Sequence, residues 1–303
     1  MEDSQCGLIE KIISQDQELI GSGRWLRGSI NSSLVVDTER QLFFFNTKDI
    51  RGNVIDWLIK VKGYDYRSAK EYLASFEGFS NPLPKQIIKN DKVIVPFDKL
   101  VDTFHENYLQ EGSEYFSKRG ITEATAKRFR LGKYYDELQK ITWSTIPIFL
   151  NGKFYNFQLR TDVPEKKIRH YYKGLGPIPF NFDILSITEK IIICEGPTDC
   201  IRLSQEGVPC VSHNGGAITW RTEWFSYFMR QKKIYILFDN DSAGIEGAKK
   251  VAESLGTYRS KIYTFEDFEK KGYDVIDYFK DGNKVEDLIK LLEEKSKYSF
   301  SLT

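Results

Sequence analysis

Apolar and polar positions alternate along this chain in blocks of different period. Residues Cys6 to Ile20 place Leu8, Ile9, Ile12, Ile13, Leu19 and Ile20 at roughly helical spacing, which predicts one helix closed by Gly21-Ser22-Gly23. Ser33 to Val36 and Gln41 to Phe45 read as strands joined at Asp37-Thr38-Glu39-Arg40. Two helices follow, one opening at Val54 after Gly52-Asn53 and one with Ala69, Tyr72, Leu73 and Phe76 on a single face. Past Pro82 and Pro84, and a short apolar run Val93-Ile94-Val95 stopped by Pro96, helical patterns cover Thr103 to Leu109 and Ser113 to Lys118. Another starts at Thr122, an N-cap residue. Ile146 to Leu150 and Phe154 to Arg160 then form a hairpin about Asn151-Gly152.

From Glu189 the pattern changes to continuous apolar runs alternating with amphipathic ones. Strands are expected at Lys190 to Cys194, Val208 to Ser212, Lys233 to Phe238 and Lys261 to Phe265. Helices are expected at Thr198 to Glu206, Thr219 to Arg230 and Ala243 to Leu255. Strands buried on both faces read as unbroken apolar runs, so this part is an α/β unit with a mostly parallel sheet. The whole chain is mixed α+β.

Length and composition add bounds. The 303 residues suffice for about two domains, and 41% apolar with 29% charged residues is ordinary for a globular protein. No apolar run approaches the roughly 20 residues of a membrane span, and Met1 to Gln5 lacks the features of a signal peptide, so a cytoplasmic protein with no membrane partner is expected. Cys6, Cys194, Cys200 and Cys210 form no C-x-x-C pair and read as buried or neutral thiols. The net charge of +1 conceals a segregation: 13 Lys/Arg against 5 Asp/Glu from Lys118 to Lys173, then 9 against 14 from Asp239 to Glu294. A basic stretch beside an acidic one suits a polyanion path next to a metal site, although two solvated surfaces would look the same.

The acids carry the sharper signal. Glu195 stands where an apolar strand meets Gly196, and Asp199 lies one step into the next helix. Asp239-Asn240-Asp241 ends another strand, and Asp274 and Asp277 come late. On a strict strand Asp239 and Asp241 would face the same side. Clustered carboxylates repel one another and call for hard divalent ions, which selects Mg2+ or Mn2+.

Glu195-Gly196-x-x-Asp199, Asp239-x-Asp241-x-Ala243-Gly244 and Asp274, in that order, resemble the Toprim domain shared by primases, topoisomerases and some nucleases. Tyr115-Phe116-Ser117-Lys118-Arg119-Gly120-Ile121 and Phe129-Arg130-Leu131-Gly132 are similar to the opening of the catalytic core of DnaG-type primases. The resemblance implies a Toprim domain at 189–282, a basic subdomain at 87–188, a linker at 79–86 and a C-terminal helix and tail at 283–303. It also implies that Glu195, Asp239 and Asp241 are catalytic, and that Glu195, Asp199, Asp239, Asp241 and Asp274 hold metal. The family's functional basic positions fall on Arg119, Arg160 and Arg169, with His170 one residue away and Lys173 nearby, while a further lysine of the family falls on Phe182.

Residues 1–78 resemble the primase zinc-binding domain, a zinc-ribbon-like fold. Its four ligand positions fall on Arg24, Arg27, Phe45 and Lys48, none a thiolate or imidazole, so no zinc is expected. Arg24, Arg27 and Lys48 among aromatic residues have the chemistry of a single-strand binder; equally, they fit the surface and core of a domain that has drifted from zinc. The implied activity is synthesis of short primers from nucleoside triphosphates (NTPs) on single-stranded DNA. With no phosphate-loop motif in the chain, a separate replicative helicase is the expected partner. The compact layout resembles proteins of phages and mobile elements. A Toprim nuclease and a non-catalytic DNA-binding accessory protein are the alternatives.

Overall fold

The computed structural model describes residues 7–76, 98–163, 168–214 and 220–298. Helix α1 (Leu8–Ile13) leads into an antiparallel meander of β1 (Leu19–Ser22), β2 (Trp25–Gly28), β3 (Leu34–Asp37), β4 (Leu42–Phe45) and β5 (Ile50–Gly52). The expected first helix is therefore too long. Its buried face ends at Ile13, and Leu19 and Ile20 enter a strand that turns back through Gly21 and Gly23, both at positive φ. Helix α2 (Val54–Asp56) runs on into a π-helical segment, Trp57–Val61, and α3 (Tyr66–Ser75) follows. Leu34, Val36, Phe43, Phe45, Ile55 and Trp57 form the core of this unit. Trp57 meets Phe43 edge-on at 5.1 Å and stacks with Phe45 at 6.3 Å.

The linker at 79–86 and the run Val93 to Pro96 lie outside the described residues. Helices α4 (Lys99–Glu111), α5 (Glu114–Ser117) and α6 (Glu123–Arg128) then precede a four-stranded antiparallel sheet. Its strands, in spatial order, are β6 (Gly132–Asp136), β7 (Ile141–Leu150), β8 (Lys153–Arg160) and β9 (Ile168–His170). The β7–β8 turn places Asn151 at φ 52° and Gly152 at φ 72°, the left-handed pair that a two-residue hairpin requires.

The last unit contains β10 (Lys190–Cys194), α7 (Pro197–Gln205), β11 (Cys210–Ser212), β12 (Lys233–Leu237), α8 (Ser242–Leu255), β13 (Ser260–Tyr263), α9 (Val275–Lys280), α10 (Val285–Lys295) and β14 (Lys297–Tyr298). Sheet order is β11-β10-β12-β13-β14; the first four strands are parallel and β14 is antiparallel. The expected helix Thr219 to Arg230 is instead a 3-10 segment, Thr222–Phe228. Its aromatic-rich sequence has weak helix propensity and buries Trp224 and Phe228 under the sheet.

Residues 285–298, within the expected C-terminal helix and tail, pack onto this unit. Leu288 and Leu292 of α10 join the main core, and β14 pairs with β13 at Ile262↔Lys297. Such a short edge strand carries no period of its own, so only the neighbouring strand defines it.

Two joints set the site. One core joins Phe116, Ile121, Ile146 and Ile148 to Ile192, Cys194 and Ile201, so the antiparallel sheet is packed against the parallel one. The N-terminal unit docks on the other side through buried polar bonds. Asp56 accepts from Thr257 N (3.3 Å) and Thr257 Oγ1 (3.2 Å), and Asn53 Nδ2 donates to Ser254 O at 2.9 Å. The buried Arg259 donates to the carbonyls of Phe228 (2.7 Å) and Gln231 (2.8 Å), while Tyr66 Oη donates to Met229 O at 2.6 Å.

Candidate active site

Parallel strands deliver their C-terminal ends to one edge of a sheet, and residues placed just past those ends meet there. β10 and β12 are neighbours with Cys194 opposite Leu237, so Glu195 and Asp239 come together. Glu195 accepts a hydrogen bond from the main chain of Asp239, while its Oε2 is buried with no hydrogen-bond partner. Gly196 caps α7 and puts Asp199, almost fully buried, in the first helical turn. A Cβ on Gly196 would stand 3.0 Å from Asp199 Oδ2 and 3.6 Å from an Arg160 Nη.

The turn after β12 departs from the strict-strand expectation. The strand ends at Leu237, and Asp241 caps α8, its Oδ1 accepting from Gly244 N at 2.7 Å. A Cβ on Gly244 would lie 2.4 Å from Asp239 O, so the motif's glycine is a packing requirement. Asp239 faces the cleft and Asp241 holds the turn that aims it. Asn240, between them, pins the next acid-bearing loop. Its N–H donates to Tyr273 O (3.0 Å), its Nδ2 to Phe268 O (2.8 Å), and its carbonyl accepts from Gly272 N (2.7 Å). That loop leads to Asp274, which caps α9 by accepting from Asp277 N at 2.7 Å.

Glu195, Asp199, Asp239 and Asp274 line one cleft of about 670 Å³. Burial pushes all four carboxyls upward, Asp199 to about 8 and Asp239 to about 9, and the acids raise one another further. Arg160 counters the rise at Asp199. Among the described residues, no three acids, histidines or cysteines converge closely enough to hold one ion as they stand. The donor set nevertheless fits a hard divalent cation in type, because it offers only carboxylate oxygens, one of them buried and unpartnered.

The same cleft is also lined by basic residues. Arg119 lies over the Tyr115 ring at 3.6 Å and within 3.7 Å of Asp162, with Lys118 beside it. Arg160 donates from Nε to Gln158 Oε1 at 2.7 Å, and Gln158 Nε2 donates to Asn214 O at 2.7 Å, which fixes the guanidinium across the joint between the sheets.

Arg169, expected among the basic site residues, does not line the cleft. It sits opposite Leu159 while His170 sits opposite Gln158, so the two alternate across the sheet. Arg169 turns away from the cleft to pair with Asp136 at 3.0 Å and lie over Trp143 at 4.8 Å. His170 is on the Gln158 and Arg160 side, its imidazole held below the ordinary range by burial and then by Arg160. Lys173 is exposed and does not line the cleft. Phe182 packs edge-on against Tyr227 at 5.0 Å.

The four positions corresponding to zinc ligands are used otherwise. Arg24 donates to the fully buried Asp37 from Nε (3.0 Å) and Nη2 (2.8 Å) and pairs with Glu39. Arg27 donates to Ser32 O at 3.0 Å, and Lys48 stands over the Phe45 ring at 4.6 Å. Arg24, Arg27, Phe45 and Lys48 do not fit zinc.

Sequence reasoning missed Lys118, Gln158, Asn240, Lys270 and Lys280. A lysine in a charged loop or a polar residue in a strand carries no pattern. Asn240, enclosed by two motif acids, and Lys118, inside the Tyr115-to-Ile121 motif, had a signal.

The profile of the Toprim-like family matches residues 192–279. The chain is 26% identical over 304 residues to a DNA primase of Aquifex aeolicus, covering 84% of this chain and 59% of that protein. It is 26% identical over 296 residues to a DNA primase of Clostridium acetobutylicum, covering 78% and 49% respectively. The chain thus spans about half to three-fifths of the length of these curated relatives. The crystal structure of the zinc-binding and RNA polymerase domains of the Aquifex aeolicus primase is similar in fold. Its TM-score is 0.55 at 24% identity, over 95% of this chain and 83% of that one.

Proposed function

Given a Toprim-like domain set within the fold of a DnaG-type primase, we propose that this chain is a DNA primase, making short primers from nucleoside triphosphates on single-stranded DNA. One observation carries the reading: the mutually repelling carboxylates of Glu195, Asp199, Asp239 and Asp274, one buried and three half-buried, share a single cleft with Arg119 and Arg160. Acids alone would suit any metal-dependent phosphoryl chemistry. The added cationic wall is what a polymerising site needs, because a template strand and a triphosphate must both be held.

Glu195, Asp199, Asp239 and Asp274 would hold Mg2+ or Mn2+ when the ions are bound, with Asp241 setting the turn that presents Asp239. Bound there, the metal supplies Lewis acidity toward phosphate oxygens and lowers the pKa of a primer 3′-hydroxyl. The protein's part is placement. Asn240 ties the Asp239 turn to the Asp274 loop through three hydrogen bonds. Glu195, with one free buried oxygen and a raised pKa, is placed to take up a proton at Oε2. Arg160, braced by Gln158, and Arg119, braced by Tyr115, orient phosphates at the cleft mouth.

The N-terminal unit would keep its shape without zinc, on the Trp57 cluster and the Arg24–Asp37 pair, and lend Arg27, Lys48 and Trp25 to strand binding. A separate helicase would supply strand opening. No helix of the described residues is long and apolar enough to cross a membrane.

The test is incubation with Mg2+ or Mn2+, labelled nucleotides and single-stranded DNA, beside a D239N/D241N variant. Short products made de novo and lost in the variant support the reading. Metal-dependent cutting without synthesis would replace it with a nuclease, and binding without reaction would replace it with an accessory role.

A further inference from the structure

The cleft has a second cationic wall that the proposed chemistry has not used. Lys270 and Lys280 line it from the Asp274 loop and α9, whereas Arg119 follows α5 and Arg160 ends β8. Lys270 is not at the end of a loose loop. The segment carrying it is pinned at Phe268, Gly272 and Tyr273 by Asn240, and the Phe268 and Tyr273 rings stack at 4.2 Å and 10°. Its Nζ bonds Asp277 Oδ2 at 2.5 Å and lies close enough to Asp274 to oppose that carboxyl's upward shift. Lys280, exposed at the end of α9, makes no ion pair with another described residue.

We infer that Lys270 and Lys280 form the subsite for the triphosphate of the incoming nucleotide, and that Asp277 is the partner that parks Lys270 while the subsite is empty. The inference rests on the primase reading and deepens it.

Charge supports the assignment. The cleft lining carries five cations, Lys118, Arg119, Arg160, Lys270 and Lys280, against six carboxylates, so the lining without metal is close to neutral. Divalent ions on the acids would leave those cations uncompensated, which matches the charge of a triphosphate. Side-chain chemistry separates the walls. Guanidinium groups braced from behind, as Arg160 is by Gln158, suit bidentate phosphodiester recognition. Flexible ammonium groups suit a phosphate tail that must be gripped and then released as pyrophosphate. Lys270 and Lys280 also flank the acid Asp274, where metal-bound phosphate oxygens would lie.

Asp277 therefore serves as a positioning residue that acts through Lys270. When phosphate arrives, the Lys270 ammonium exchanges a carboxylate for a phosphate oxygen, with no covalent change.

The experiment measures nucleotide and DNA affinity separately in K270A, K280A, K270A/K280A and D277N, with R160A for contrast. ATP binding is measured calorimetrically in Ca2+, so that no turnover is required. Primer synthesis is then assayed in Mg2+. Each lysine variant should weaken ATP binding and raise nucleotide KM about tenfold, the worth of a charge-assisted phosphate contact, and leave single-stranded DNA affinity within about twofold. D277N should keep DNA affinity and tighten ATP binding slightly, because Lys270 no longer leaves a charged partner. R160A should do the reverse of the lysine variants, losing DNA.

The inference is overturned if K270A/K280A binds ATP like the wild type, or loses DNA as R160A does. If the wild type binds ATP in Ca2+ through these lysines but makes no primer, the primase reading fails and the subsite stands.

Discussion

Two parts of this molecule bury carboxylates, and they treat them in opposite ways. In the N-terminal unit Asp37 is closed by a two-pronged bond from Arg24, and Asp56 accepts from Asn53 N, Thr257 N and Thr257 Oγ1 with Lys60 at 3.2 Å. In the cleft, Glu195, Asp199, Asp239 and Asp274 face one another; burial raises all four, and Glu195 keeps an unpartnered oxygen. A buried charge with every lone pair matched is architecture. A buried charge left unmatched costs stability and marks a place where something else must bind.

The contrast is most strongly tested by removing one charge from each side. D239N should abolish synthesis by about a thousandfold or more, since the proposed ligand set would be broken, while raising the Tm of the metal-free protein by about 2–4 °C for each kcal/mol of repulsion relieved. An unchanged or lowered Tm beside intact circular dichroism would show that the cleft acids are not frustrated. D56A should act in the other direction, destabilising by about 3 kcal/mol because the main-chain donors of Asn53 and Thr257 and the Lys60 charge lose a buried acceptor. Urea denaturation reads it directly, and a loss below about 0.5 kcal/mol would mean that the docking joint is not closed as described.

A pH series gives a smaller effect with a definite sign. Asp199 and Asp239 titrate near 8 and 9 in the folded chain, against about 3.9 unfolded, so folding takes up protons between those values. Their contribution is fully present below about pH 4 and is lost as pH rises through 8 and 9, so metal-free Tm should fall over that window. Mg2+ should flatten the fall and stabilise more at pH 9 than at pH 6; equal stabilisation at both would contradict the assignment. The smallest expected effects are two controls. R169A should leave DNA affinity within about twofold while lowering stability, because its guanidinium is spent on Asp136 and Trp143. A strong zinc chelator should leave the N-terminal unit's melting unchanged, and a shift on chelation would mean that metal sits there.

Much of the fold was legible because its signals are local. The run Ile191-Ile192-Ile193-Cys194 is buried on both faces and reads as a central strand from composition alone. The glycine turns at Asn151-Gly152 and Gly21-Ser22-Gly23 announce themselves through residues that tolerate positive φ. The misreadings share one cause. Leu19 and Ile20 continue a helical period but lie in a strand, Thr222–Phe228 winds tightly to bury aromatics, and Lys297-Tyr298 becomes a strand only because β13 offers an edge. In each, a tertiary partner outweighed a weak local preference.

The site divides along the same line. The order of Glu195, Asp199, Asp239, Asp241 and Asp274, each at the end of a strand or the start of a helix, is written in the sequence, because caps and strand ends are local features. The sequence by itself therefore determined which acids stand at strand ends and helix starts. Only the tertiary structure decided what each charge meets. It made Asp241 the cap of α8, turned Arg169 to the far face, made Asn240 the pin between two loops, and brought Lys270 and Lys280 into one cleft with Arg119 and Arg160. The physical reason is range. Backbone caps and burial periods act over a few residues, whereas the pairing of charges depends on which surfaces the packed core brings face to face.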